Sequence, residues 1–258
     1  MLKDRVIIIT GANSGIGFAT ARHCLSLGAK VMVHGRNAEA VERAVARLGD
    51  GAAGIVADLI EASAPSRIVA RTLETFGRLD GLVNNAADLG RHTLDQVSDG
   101  EFAHMMRVNA GAPLALVQHA VRVMKKQANG GAIVNIGSTN AWCGAHNLLL
   151  YSMGKGALMT ATRNLGDTLG SFNIRINQLN VGWTLTESED ALQRAEGHGD
   201  DWQEHIPTDF IPSGALLPPK TIAAHVAFWL SDQSAPVTGQ VCDLEQYPVI
   251  GRNKLSQR

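Results

Sequence analysis

Three side chains in the middle of the chain have the types and spacing to move a proton on and off an alcohol oxygen. Tyr151 and Lys155 lie four residues apart in Tyr151-Ser152-Met153-Gly154-Lys155, so on a helix they are neighbours on one face. Ser138, thirteen residues before Tyr151, follows the apolar run Ala132 to Ile136. That is the carboxyl end of a predicted strand, where open α/β sheets bind ligands. A secondary alcohol gives up hydride readily only if its O–H proton also leaves, so the site needs a base within hydrogen-bond reach of that oxygen. A free phenol, with a pKa near ~10, is a poor base at neutral pH. The Lys155 cation is expected to favour the phenolate and bring Tyr151 toward a useful range. Taken singly, Tyr151 reads as a packing residue, Lys155 as an exposed helix lysine and Ser138 as a helix cap.

A second group of residues suits phosphate. Thr10-Gly11-Ala12-Asn13-Ser14-Gly15-Ile16-Gly17 follows the first apolar run and opens the first helical stretch. Three glycines permit a tight turn and close backbone approach, and the N–H groups at the start of the helix attract an anion. The elements that must position both groups alternate along the chain. Predicted strands are Arg5 to Thr10, Lys30 to His34, Ala53 to Val56, Gly81 to Asn84, Gly131 to Ile136, Ile174 to Leu179 and Gln240 to Leu244. Predicted helices are Ile16 to Leu27, Ala38 to Leu48, Ser66 to Phe76, Phe102 to Gln127, Ser152 to Leu169 and Thr221 to Leu230. Short runs, mostly continuous in apolar residues and separated by helices, imply a mostly parallel sheet covered on both faces. The fold class is α/β, a Rossmann-type doubly wound domain of seven strands spanning residues 1–258.

The glycine spacing G-x-x-x-G-x-G, with Tyr151 and Lys155, resembles the short-chain dehydrogenase/reductase family, over about Lys3 to Asp243. The resemblance implies an Asn-Ser-Tyr-Lys tetrad of Asn109, Ser138, Tyr151 and Lys155. Lysine would also contact the nicotinamide ribose, and asparagine would help hold a water that relays protons from it. Expected cofactor contacts are Gly11, Asn13, Ser14, Gly15, Ile16 and Gly17 in the turn, with Asp58 and Leu59 after the third strand. Asn85 and Ala86 in Asn84-Asn85-Ala86-Ala87 join them, as do Tyr151 and Lys155 themselves. Asn180-Val181-Gly182-Trp183-Thr184-Leu185-Thr186 is similar to the family's N-P-G-x-x-x-T and adds Gly182, Thr184 and Thr186. Three positions depart from the family pattern: Ala87 stands for glycine, Val181 for proline, and Asp243-Leu244-Glu245 for D-G-G. At the end of the second strand the position of an NAD-selecting acid is Gly35, and Arg36 follows it. Arginine there accommodates a 2′-phosphate, so NADP(H) is expected ahead of NAD(H); the alternative makes Arg36 a solvated residue opening the second helix, with Asn37 as its N-cap.

The substrate end is less sharply defined. Trp142, His146, Trp183 and Trp202, with Cys143, Asn147, Thr184 and His205 nearby, make a mixed aromatic and polar set that suits a sugar or polyol. Residues 186–220 read as a loop or lid with a short helix near Glu187 to Glu196, because long loops in compact domains are usually functional. The tail Tyr247 to Arg252 reads either as a cover for its own or a neighbouring site or as a frayed end. The leading expectation is oxidoreduction between a secondary alcohol and a ketone. Alternatives are a 3-oxoacyl thioester reductase, for which Lys125-Lys126 is the only carrier-docking patch, and a non-catalytic NADP(H) sensor. Twenty-three Lys and Arg against 24 Asp and Glu leave a net charge of −1, which gives no case for nucleic acid or an anionic membrane. Three scattered cysteines and no H-E-x-x-H spacing argue for reduced thiols and no metal. No run is long enough for a signal peptide or membrane span, so a cytoplasmic protein is expected. The resemblance implies a homotetramer or homodimer built on the helices Phe102 to Gln127 and Ser152 to Leu169.

Overall fold

The computed structural model of the chain describes residues 1–127, 129–142 and 144–247. Strands β1 (Val6–Ile9), β2 (Lys30–Gly35), β3 (Ala52–Val56), β4 (Gly81–Asn84), β5 (Gly131–Ser138), β6 (Ile174–Val181) and β7 (Val241–Leu244) form one sheet. Their order is β3-β2-β1-β4-β5-β6-β7, and among the described residues every pairing is parallel, with no antiparallel edge. Helices α1 (Gly15–Ser26), α2 (Ala38–Leu48), α3 (Ala64–Phe76), α4 (Asp99–Met106), α5 (Ala112–Met124), α6 (Leu149–Leu169), α7 (Glu187–Ala195) and α8 (Pro219–Leu230) connect them. The order reverses between β1 and β4, so the loops leaving these two strands part and open a crevice at the carboxyl edge.

Strand β1 shows how the layers form. Ile7 and Ile9 join a core with Ala21 and Cys24 of α1 and Ile222 and Val226 of α8. Ile8, facing the other way, joins Ile68 of α3 and Leu116 of α5. A strand with helices on both faces needs apolar residues at successive positions, and all four residues of β1 are buried.

Two features depart from the reading of the sequence. The predicted helix Phe102 to Gln127 is α4, a π-helical turn over Arg107–Gly111, and α5. The Ser98–Glu101 capping box starts α4 at Asp99, and Pro113, which has no N–H to donate, marks the first turn of α5. The carboxyl halves of β4 to β7 are also less apolar than expected, because a ladder of amides crosses them. Asn84 Nδ2 donates to Asn135 Oδ1 at 2.8 Å and Asn135 Nδ2 to Thr162 Oγ1 at 2.9 Å. Thr162 Oγ1 donates to Gln178 Oε1 at 3.2 Å, Gln178 Nε2 to Asn180 Oδ1 at 2.8 Å, and Asn180 Nδ2 to Asp243 Oδ1 at 2.9 Å. Buried polar groups are tolerable when they satisfy one another in this way.

Candidate active site

The cleft at the carboxyl edge has a volume of about 1010 Å³. One end is made chiefly of backbone. Gly11 and Gly15 adopt φ of +63° and +53°, the left-handed region open to glycine at little cost. A Cβ at Gly17 would run into the Gly11 carbonyl oxygen. Asn85 Nδ2 donates to the Thr10 and Gly11 carbonyls at 2.8 and 3.2 Å, and Thr10 Oγ1 accepts the Asn85 and Ala86 N–H groups at 2.9 and 3.0 Å. Ser14, the N-cap of α1, makes no side-chain capping bond, whereas Asn37, Ser98 and Thr186 all cap their helices. Uncapped N–H groups at the cleft wall suit the pyrophosphate of a dinucleotide.

His34 is a wall residue that the sequence reading missed. It accepts the Gly11 N–H on Nδ1 at 3.4 Å, which puts its proton on Nε2, 3.0 Å from the Ala57 carbonyl. Burial holds its pKa below the usual histidine value, so it ties the glycine turn to the end of β3 as a neutral ring. Arg36 lines the cleft beside it and is exposed, while Asn37 Oδ1 caps α2 by accepting the Ala40 N–H at 2.9 Å.

Ser138 at the end of β5 and Tyr151 and Lys155 on α6 meet at the cleft floor, 6 %, 8 % and 2 % exposed. Ser138 Oγ accepts the Asn140 N–H at 3.1 Å, which leaves its own proton free to donate to the Tyr151 oxygen. Burial pushes the Tyr151 phenol up to about 12, opposed by the Ser138 hydrogen bond and assisted by the Glu189 charge. Burial also pushes Lys155 down to about 8, with Nζ donating to the Ile136 carbonyl at 2.7 Å. Lys155 is expected to lower the phenol; burial is instead the largest cause of its shift, and the Lys155 Nζ lies 5.6 Å from the ring centroid. Asn109 sits behind the floor, fully buried in the π-turn. Its Oδ1 accepts the Asp88 N–H and its Nδ2 donates to the Asp88 carbonyl, both at 3.0 Å. A Cβ at Gly154 would lie 2.7 Å from the Asn109 Cβ, so α6 packs directly on this asparagine.

The other end of the cleft is held by side chains distant in sequence. The acids that replace D-G-G reach back to two loops. Asp243 accepts the Trp142 indole N–H at 2.9 Å as well as Asn180, and Glu245 Oε2 accepts the Trp183 N–H at 3.0 Å beside Gly182. Glu245 thus holds the corner from which Val181 has displaced the expected proline. Gln246 ties the far end of the lid, accepting from Ser213 N and Oγ at 3.0 and 2.6 Å and donating to the Ala215 carbonyl at 2.7 Å. The lid has its own small core of Trp202, Ile206, Ile211 and Leu216, and Trp202 stacks on Trp183 with ring centroids 5.9 Å apart. At the C-cap of α7, Glu196 meets Arg91 of the loop after β4 at 2.7 Å.

Most of the expected contacts share this one cleft. Asn13, Ile16, Asp58, Leu59, Ala86, Gly182, Thr184 and Thr186 line it, as does Ala87 at the altered glycine position. Gly17 and Asn109 support it from behind. Of the four expected substrate residues only Trp183 faces the cleft. Trp142 is turned to Asp243, Trp202 is buried in the lid with its indole N–H on Asp190 at 2.9 Å, and His146 is exposed on a turn. Cys143 and the tail from Pro248 to Arg252 lie outside the described residues. Glu189, Gln193 and Glu245 face the cleft and were not anticipated. Among the described residues no cluster of His, Cys, Asp or Glu suits a metal ion, and no helix is long and apolar enough to cross a membrane.

Residues 11–245 match the family model described as enoyl-(acyl carrier protein) reductase. The chain is 30% identical to the L-rhamnose 1-dehydrogenase (NAD(P)(+)) of Azotobacter vinelandii, over 93% of this chain and 94% of that one. It is also 30% identical to a short chain dehydrogenase of Penicillium rubens, over 95% and 97% of the two chains. The crystal structure of levodione reductase superposes with a TM-score of 0.88 at 28% identity, covering 95% of this chain and 97% of that one.

Proposed function

Because the chain belongs to the short-chain dehydrogenase/reductase family, we propose that it is an NADP(H)-dependent oxidoreductase interconverting a secondary alcohol and a ketone, with a sugar or polyol as substrate. The observation that carries this reading is the meeting of Ser138, Tyr151 and Lys155 on the floor of the cleft that the glycine turn also lines. We assign residues 1–258 to one catalytic domain with 186–220 as its substrate lid.

In the reducing direction Ser138 donates its O–H to the carbonyl oxygen, and the Tyr151 phenol, held protonated by burial, gives that oxygen its proton as charge develops there. Lys155, near 8, still carries a proton at neutral pH and shares the cleft floor with the phenol that it can recharge. The bound dinucleotide supplies the hydride, or accepts it when the alcohol is oxidised. Asn109 spends one amide N–H and one oxygen lone pair on Asp88, which fixes its side chain behind the floor.

Arg36 supports the choice of NADP(H). It lines the cleft at the end of β2, forms no ion pair with another described residue, and neighbours Gly35 where an acid would select NAD. A homodimer or homotetramer through α4, α5 and α6 is supported by the exposed Phe102, Leu114 and Met153 on those helices. A 3-oxoacyl thioester reductase is the second reading, favoured by the description of the matched family model. Its carrier-docking patch is thin, since Lys125 is already engaged over the Phe172 ring at 3.5 Å.

Turnover is to be measured with NADP(H) and NAD(H) on sugars, polyols, secondary alcohols and oxoacyl thioesters, with Tyr151→Phe alongside. Activity on a sugar or polyol, lost by roughly 10²-fold or more in Y151F while dinucleotide binding persists, supports the reading. Tenfold preference for NADP, about 1.4 kcal/mol, supports the Arg36 assignment. Dinucleotide binding with no turnover in the unaltered protein overturns it in favour of a sensor.

A further inference from the structure

Resting on the alcohol and ketone reading above, this inference narrows it to a substrate class. Glu189 is the third residue of α7, three after its cap Thr186, in the T-x-x-E spacing where glutamate ordinarily folds back onto the N–H of the cap. Only half of that box forms. Thr186 Oγ1 accepts the Glu189 N–H at 3.1 Å, but the carboxylate does not return the bond, whereas at Ser98 and Glu101 the same box closes both ways. The Glu189 side chain instead faces the cleft. Its Oε1 accepts both the Trp183 indole N–H at 2.8 Å and the Gln193 amide N–H at 2.9 Å, while Oε2 accepts neither. Both donors are themselves held, Trp183 stacked on Trp202 and Gln193 only 7 % exposed. The carboxylate is therefore fixed in direction, with one oxygen committed and one left over.

Glu189 lines the same cavity as Tyr151, and its negative charge is felt at that phenol. An ionised carboxylate accepts hydrogen bonds and donates none. We propose that Glu189 is a specificity-determining residue whose free oxygen takes a hydrogen-bond donor of the substrate, a hydroxyl on the carbon next to the reacting one. The enzyme then prefers vicinal diols and hydroxyketones to simple alcohols and ketones, and disfavours substrates with a carboxylate or phosphate at that position.

The test uses trans-cyclohexane-1,2-diol and cyclohexanol, which differ by one hydroxyl, as substrates for the unaltered protein, Glu189→Ala and Glu189→Gln at saturating dinucleotide. The unaltered protein is expected to favour the diol at least tenfold in kcat/KM, and E189A to bring the ratio close to one. Glutamine still offers an oxygen to Trp183 and Gln193, so E189Q keeps the lid arranged while losing the charge, and its ratio is expected to fall at least threefold. Similar ratios in all three proteins, or a ratio near one in the unaltered protein, overturn the proposal while leaving the underlying reaction intact. No oxidation of these or any other alcohols by the unaltered protein overturns both, a result separable from the first because no ratio then exists.

Discussion

The two ends of the cleft are built by different means. At the glycine turn, backbone groups hold one another: Asn85 ties down the carbonyls of Thr10 and Gly11, and Gly17 leaves no space for a Cβ. At the lid, side chains from three distant segments hold the loops, with Asp243 on Trp142, Glu245 on Trp183 and Gln246 on Ser213. A site made of backbone tolerates no added atom, because nothing in it can rotate away. A site made of side-chain bonds loses them one at a time, each worth about 1 kcal/mol net.

The strongest test of that contrast is Gly17→Ala. Its methyl meets the Gly11 carbonyl oxygen, and overpacking against backbone costs roughly 1–3 kcal/mol or more. NADPH affinity, read by fluorescence titration, is expected to fall by about 100-fold, equivalent to ~2.7 kcal/mol. Unchanged affinity would break the comparison at its firmer end. Lys155 tests the floor between the two ends. Its pKa is lowered by burial to about 8 from 10.5, so between those pH values the unfolded chain binds more protons than the folded one. The penalty is fully present below about pH 8, and stability rises with pH through that window, by up to roughly 3 kcal/mol. Buried Cys24 and Tyr151, both pushed up to about 12, act in the opposite sense above their ordinary values of 9.0 and 10.0. The informative measurement is therefore the difference between unaltered protein and Lys155→Met in urea unfolding at pH 7 and at pH 10, expected to shrink as pH rises.

At the lid end, Glu245→Ala is expected to raise the substrate KM about tenfold, some 1.4 kcal/mol, with NADPH affinity altered less than threefold. An equal loss in both would mean that Glu245 holds the whole cleft and that the two ends are not separate. The smallest effect is expected of Arg91→Ala. The pair with Glu196 is about a third exposed on each side, and such pairs are worth ~0.2–1 kcal/mol. A KM change of less than about threefold, vanishing in 1 M salt where the screening length is ~3 Å, is the expected signature.

The same contrast decides what could be read from the sequence. The glycine turn, the seven strands and the Tyr151 to Lys155 spacing are local patterns, and each stands within a residue or two of where its periodicity implied. Helix α2 matches from Ala38 to Leu48, because Asn37 caps one end and Gly49 with φ of +75° ends the other. Phe102 to Gln127 was misleading since its apolar rhythm continues through the π-turn, and only Pro113 signals the break. Trp142 and Trp202, unlike Trp183, do not line the cleft, and for a different reason. An indole can serve a pocket or a hydrophobic cluster equally well, and Asp243, 101 residues from Trp142, decides between them. Glu189 was hidden by a helix-start pattern that accounts for it fully until its carboxylate is seen turned away. The sign of the Tyr151 shift depended on how dry the floor is, which spacing alone does not report.

The bonds from Asp243, Glu245 and Gln246 also set the unit in which this enzyme can be recombined. A lid transplanted from a relative as residues 186–217 would arrive without the three side chains that anchor it and the loops beside it. The transferable module is discontinuous, comprising the loop before α6, the segment from Gly182 to Leu217 and the stretch from Asp243 in β7 to Gln246. Chimeras that exchange all three together should keep their pockets in register, whereas single-segment swaps should yield folded proteins whose lids have lost their anchors.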